Sequence, residues 1–150
     1  KALIDSDKIL ITEDTAKFLS KRFRNKIGIV SGRSKMAFEY SLPEMLSTFN
    51  KQACVFLEDE SRKYAKPNPY GIKKAMKLMH AKSAVYVGDS VEDLIMARKA
   101  RDEIGLEVEF LGIYGTSTKP IQTMNLLKKK GAKNVLRSIN QMPNILNNVM

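Results

Sequence analysis

The sequence predicts an α/β fold built on a largely parallel sheet with helices on both faces, and two observations predict it. Short apolar runs alternate with amphipathic stretches of helical period, which is the pattern of β-α units. The residues directly after those runs are unusually polar, as expected where an open parallel sheet gathers functional groups at the carboxyl ends of its strands.

Thr12–Phe23 reads as the first helix, with Thr12 or Asp14 as cap and Ala16, Leu19 and Phe23 along one face. It leads into a strand at Lys26–Val30. Ser34 can cap the next helix, which Pro43 divides into Lys35–Ser41 and Glu44–Asn50, because proline cannot continue an interior turn. The second strand is Ala53–Leu57. Asn68-Pro69 then opens a helix, asparagine as cap and proline in the first turn, whose buried face is Ile72, Ala75, Met76 and Met79. Ala84–Val87 is the third strand and Val91–Ile104 the helix after it, with Gly105 as a left-handed terminator. A strand at Val108–Ile113, a helix at Gln122–Lys130 ended by Gly131, a weak strand at Asn134–Leu136 and a last helix at Ile139–Met150 complete the chain.

With 150 residues, 43% apolar and 28% charged, the chain suffices for one core and hardly for two. One cysteine excludes a disulfide scaffold or a thiolate zinc site, and no apolar run approaches the ~18 residues that a membrane helix requires. Cys54 lies inside the apolar stretch Ala53–Leu57 and no amino-terminal segment reads as a secretion signal, which points to a reducing compartment, the cytoplasm. Because it begins at Lys1, the sequence reads as the carboxy-terminal part of something longer. Lys and Arg outnumber Asp and Glu by 26 to 16, a formal charge of +10 that suits nucleic acid, anionic lipid or a phosphorylated small molecule. The run Lys128-Lys129-Lys130 falls in a last helical turn, where cations complement the carbonyl end of the dipole, and it carries no interleaved aromatics; it does not indicate a nucleic-acid partner.

The polar strand ends hold the chemistry. The first strand delivers Ser31-Gly32-Arg33-Ser34, the third delivers Gly88-Asp89-Ser90-Val91-Glu92-Asp93, and Lys66-Pro67-Asn68-Pro69 stands between them. Asp89 at a strand end and Asp93 one helical turn later can face one point above the sheet, an arrangement that suits magnesium; equally, Ser90 or Asp89 can cap the helix with Asp93 as a first-turn acid. Ser31 with Gly32 can hold a phosphate oxygen or simply make a turn. Lys66, kept out of helical geometry by Pro67, can neutralise a phosphate or a carboxylate nucleophile, or be one more solvated lysine.

Taken in this order, an apolar strand with Ser31, Lys66-Pro67 opening a helix and an apolar strand with Gly88-Asp89-x-x-x-Asp93, the sequence resembles the second, third and fourth motifs of the haloacid dehalogenase superfamily. The resemblance runs from about Lys26 to Gly115 and is nearest to the phosphatase-like branch with a cap inserted early in the chain. It implies a three-layer Rossmann-like core over 12–150, with residues 1–11 the end of an inserted cap or a linker. It implies phosphate-monoester hydrolysis through an aspartyl-phosphate with Mg2+: Ser31 and Gly32 binding the phosphoryl group, Lys66 offsetting its charge, Asp89 ligating magnesium and Asp93 supporting it. Glu58 and Asp59 after the second strand extend the acidic wall, and Arg33, Lys35 and Lys63 are weaker candidates for an anionic pocket. The implied partner is a small phosphorylated metabolite, with neither nucleic acid nor membrane; oligomeric state is left open.

The superfamily's first motif, a strand ending in Asp-x-Asp whose first carboxylate attacks phosphorus, is not matched by Asp5-Ser6-Asp7. Only Ala2-Leu3-Ile4 precede that triplet, and 25 residues with a single helix separate Asp5 from Ser31. The core is therefore expected to lack its first strand and most of its cap, with the nucleophile upstream and the 150 residues inactive alone. His80 has no nucleophile partner and is expected at the surface. One rival is a receiver-like signalling module, in which the acids come first and the lysine last, opposite to the order here; another is a non-catalytic phosphate- and Mg2+-binding fragment. A nucleotide-binding domain is disfavoured because no Gly-x-Gly-x-x-Gly turn follows the first strand.

Overall fold

A computed structural model describes residues 11–24, 26–32, 34–36 and 53–149. The expected helices at Lys35–Ser41 and Glu44–Asn50, the bend at Pro43, Arg33 and the whole of Asp5-Ser6-Asp7 lie largely or wholly outside them.

Helix α1 (Glu13–Phe23) starts where expected: Thr12 has extended backbone angles and its Oγ1 accepts from the Thr15 N–H at 3.2 Å. The chain turns at Arg24, in the left-handed region, and the Lys26 N–H donates to the Phe23 carbonyl. That bond keeps Lys26 at the helix end, so strand β1 covers Ile29–Ser31 rather than Lys26–Val30, and Ser31 is its last residue. Strand β2 (Cys54–Phe56) pairs with it in parallel, Ile29 opposite Cys54 and Ser31 opposite Phe56. Leu57 leaves the strand for a 3-10 turn, Leu57–Asp59, and a second such turn follows at Arg62–Tyr64.

Helix α2 (Tyr70–Leu78) begins one residue later than its proline signal suggests; Pro69 occupies the cap, and Asn68 Oδ1 accepts from the Tyr70 N–H at 2.9 Å. Its buried side is Gly71, Ile72, Ala75 and Met76, while Met79 falls just beyond the helix. Strand β3 (Ser83–Gly88) leads into α3 (Val91–Ile104), capped by Ser90 and ended by Gly105 at φ +80°. Strand β4 (Glu107–Ile113) is followed by α4 (Pro120–Lys129), which starts earlier than the apolar pattern indicates because Pro120 fits the first turn. Strand β5 (Asn134–Leu136) is as expected, whereas the last helix splits into a 3-10 turn at Ile139–Gln141 and α5 (Met142–Val149).

Strands β3, β4 and β5 form a second parallel sheet in that order, with Ala84 opposite Val108 and Gly112 opposite Val135. The alternation of β4 sorts the layers. Val108 lies with Ile72, Met76, Met96, Ala97 and Ala100 under α2 and α3, while Leu111 lies with Leu19 of α1 and Met142 of α5. The α2–α3 layer also covers the first sheet: Val30 of β1 packs on its cluster beside Ala84 and Tyr86, while Ile27, in the segment that leads into β1, packs on the α1–α5 cluster beside Val87. The molecule is an α/β three-layer structure with parallel sheets between helices. Among the described residues no hydrogen-bonded ladder joins β1 to β3, so the two sheets meet along a seam beneath shared helices.

Leu127 is fully buried under α4 among Leu94, Ala132, Phe110 and Val135, whereas Ile121, six residues earlier on the same helix, is 56% exposed. Leu127→Ala is expected to cost about 2–5 kcal/mol and Ile121→Ala under about 0.5 kcal/mol. Urea unfolding with an unchanged slope measures both.

Candidate active site

The site is built from the turn between β3 and α3. Ser90 Oγ accepts from the Asp93 N–H at 3.2 Å, and the Asp93 carboxylate turns back so that Oδ2 accepts from the Asp89 N–H at 3.1 Å and from the Ser90 hydroxyl at 3.0 Å. That fold-back requires glycine at position 88, since a Cβ there would lie 2.4 Å from Asp93 Cβ. Asp93 is consequently 3% exposed. Its other oxygen, Oδ1, accepts from Lys66 Nζ at 2.6 Å and from the Tyr86 hydroxyl at 3.2 Å. A buried carboxylate thus meets four donors and is fully satisfied.

Burial alone would push the Asp93 carboxyl up, but the Lys66 ammonium beside it, with the Ser90 and Asp89 hydrogen bonds, holds it below the usual carboxylate range. Tyr86 moves the other way. Burial, and then the Asp93 charge, push its phenol far above the ordinary value, so it stays a neutral donor.

Lys66 reaches Asp93 from the loop ahead of α2, and α2 itself lies close on the first sheet: a Cβ on Gly71 would stand 2.5 Å from Val30 Cγ1. The loop therefore spans the seam at the carboxyl ends of the strands. Ser31 ends β1 on that same edge, in the other sheet, and Gly32 after it is exposed with open space around its α-carbon. Asp89 is exposed, and its Oδ2 accepts from the Thr116 hydroxyl at 3.3 Å.

Lys66, Asp89 and Asp93 are thereby one hydrogen-bonded group, while Ser31 and Gly32 stand across the seam from it. Asp59 is committed elsewhere: its Oδ2 accepts from the Lys35 N–H at 2.8 Å. His80 is exposed, as expected, at a left-handed turn. Burial pushes the Cys54 thiol up, more than its bond at Ile29 and the nearby Lys35 lower it. Two participants escaped sequence reasoning. Tyr86 carried no signal beyond its place in the strand, and Thr116 follows the end of β4, a position at which a hydroxyl residue could have been noted.

Among the described residues no group of three or more His, Cys, Asp or Glu side chains is gathered to hold a metal. The donor set nevertheless fits magnesium, which takes one or two protein carboxylates and completes its shell with water and substrate phosphate. Asp89 offers the exposed carboxylate, and Asp93 fixes the backbone beneath it. No described helix is long and apolar enough to cross a membrane.

A family model described as haloacid dehalogenase-like hydrolase matches residues 2–101. Among solved structures, an X-ray structure of a Northeast Structural Genomics Consortium target superposes with a TM-score of 0.68 at 20% identity, over 94% of this chain and 43% of that one. The likeness is one of fold, and the chain spans less than half of that longer relative. No curated protein matches.

Asp93→Asn leaves a part-solvated Lys66 unpaired and should cost about 2–3 kcal/mol at neutral pH, less than a fully buried pair. Because the folded-state pKa of Asp93 lies below its unfolded value, that margin is full above about pH 5 and disappears as pH falls through the folded pKa, below about 4. Urea unfolding of both proteins from pH 7 to pH 3 measures the convergence.

Proposed function

The chain belongs to the haloacid dehalogenase-like hydrolases, and from that membership we propose that the protein to which it contributes hydrolyses a phosphate monoester of a small metabolite through an aspartyl-phosphate, with Mg2+. The observation that carries the reading is the Lys66 ammonium anchored on one oxygen of buried Asp93, whose other oxygen accepts from the backbone N–H of exposed Asp89 just after β3. Phosphoryl transfer depends mostly on positioning and on offsetting charge at the equatorial oxygens. Lys66 supplies a fixed positive charge, the Ser31 hydroxyl and the Gly32 N–H supply donors to a phosphoryl oxygen, and Asp89 with Asp93 behind it supplies the magnesium ligand. Bound there, magnesium would offset charge on the phosphoryl oxygens.

On this reading the nucleophile is a carboxylate expected upstream, on a strand that would lie beside β1 and β3. What supports the reading is that Val30 of β1 and Ala84 and Tyr86 of β3 pack on one α2–α3 cluster, while no ladder joins the two strands among the described residues. In the reaction a carboxylate oxygen forms a bond to phosphorus as the ester oxygen leaves with a proton; water then cleaves the acyl phosphate, releasing inorganic phosphate and restoring the carboxylate. On this reading the 150 residues alone bind phosphate and magnesium without turnover, which keeps a non-catalytic binding role for the isolated chain.

The chain alone is expected to leave an aryl phosphate intact. Extended at its amino end by an apolar strand ending in Asp-x-Asp, it should hydrolyse the ester with Mg2+, and Lys66→Ala or Asp89→Asn should lower the rate at least roughly 100-fold. Turnover by the unextended chain, lost on Asp5→Asn, would instead place the nucleophile at Asp5.

A further inference from the structure

The loop that carries Lys66 is closed at its base by two aromatic rings. Tyr64 and Tyr70 stack with centroids 3.8 Å apart and planes 13° from parallel, so the chain leaves one ring, passes through Lys66 and returns to the other. Lys63 Nζ stands 5.0 Å from the Tyr64 centroid and Lys74 Nζ 5.8 Å from that of Tyr70, which places an ammonium over each ring. Inside the loop, Asn68 bridges the two ends: Nδ2 donates to the Lys63 carbonyl at 3.0 Å while Oδ1 accepts from the Tyr70 N–H, and the Asn68 N–H donates to the Ala65 carbonyl at 2.9 Å. Glu60 anchors the Tyr70 side, accepting from its hydroxyl at 3.3 Å and pairing with Lys74.

Tyr70 is thus held by the start of α2 and by Glu60, whereas Tyr64 belongs to a short 3-10 turn with no buried residue. The stack, together with the Asn68 side chain, fastens that turn to the helix. We propose that Tyr64 is a positioning residue for Lys66: its ring, stacked on Tyr70, closes the loop and so holds the ammonium where it meets Asp93. A lysine stem has four rotatable bonds, and the geometry of its ammonium is only as fixed as the backbone that presents it. The tyrosine hydroxyl of Tyr64 takes no part in this, so phenylalanine should serve as well. The inference rests on the reading of Lys66 as the phosphate-facing cation, but the loop closure itself can be read without it.

The full chain, labelled with nitrogen-15 at lysine, should show a slowly exchanging Lys66 side-chain ammonium resonance, assigned by its absence in Lys66→Arg. Tyr64→Ala should broaden that resonance into solvent exchange and weaken inorganic phosphate binding roughly three- to tenfold, the size of one aromatic pair; Tyr64→Phe should leave both as in the wild type. A Lys66 resonance unchanged in Tyr64→Ala overturns the proposal, and so does its loss in Tyr64→Phe. Should Tyr64→Ala lose the core methyl dispersion, Tyr64→Leu carries the same comparison. If the resonance behaves as expected but the wild type binds no phosphate, the positioning role stands and the phosphatase reading falls.

Discussion

The bond between Lys66 and Asp93 is the constraint around which the site is organised. It joins a loop ahead of α2 to the first turn of α3, and α2 in turn lies on β1 through the close approach at Gly71. Removing either partner would leave a charge in a place that excludes most water, which is costlier than never having buried the pair. Everything around Asp93 serves that economy: glycine at 88 makes room, Ser90 and the Asp89 N–H take one oxygen, and neutral Tyr86 shares the other with the ammonium. The result is an acid that stays ionised inside the protein and a lysine that is anchored yet still 23% exposed.

The seam sets how the site is divided. Ser31 and Gly32 stand at the end of β1, whereas Asp89, Asp93 and Thr116 stand beyond the ends of β3 and β4, and among the described residues helices and the Lys66 loop link the two sheets. Parallel strands whose side chains alternate between two helical layers want both neighbours, because each face is already apolar. Among the described residues the inner edges of the two sheets carry no ladder between them, so the candidate site residues fall into two groups, one at each sheet.

Much of this was legible in the sequence where the signal was local. Gly88, Asp89, Ser90 and Asp93 lie within six consecutive residues, so strand end, cap and first-turn acid follow from spacing alone. Val91–Ile104 and Asn134–Leu136 agree with the structure because cap, glycine and apolar period point the same way. Of the two readings of Asp93, the structure shows the first-turn acid, which closes a capping arrangement with Ser90, and it adds a contact that spacing did not indicate, the bond from its second oxygen to Lys66. Tyr86 was not legible, since its role depends on which way a strand residue faces; Thr116 carried a signal in its place after β4, but its partner Asp89 follows from the register that sets Gly88 beside Gly112. The Tyr64–Tyr70 stack was hidden for a similar reason: a contact between residues six apart arises only once the intervening loop has folded back.

The seam also bears on how the chain behaves in company. An edge strand can serve as a template for another chain, and among the described residues β1 and β3 each carry a ladder on one side, with Val85 of β3 43% exposed. The formal charge of +10 acts against such pairing, because like-charged copies repel before their backbones come into register. The excess of basic residues is therefore a colloidal safeguard, strongest at low ionic strength and progressively lost as salt shortens the reach of the repulsion.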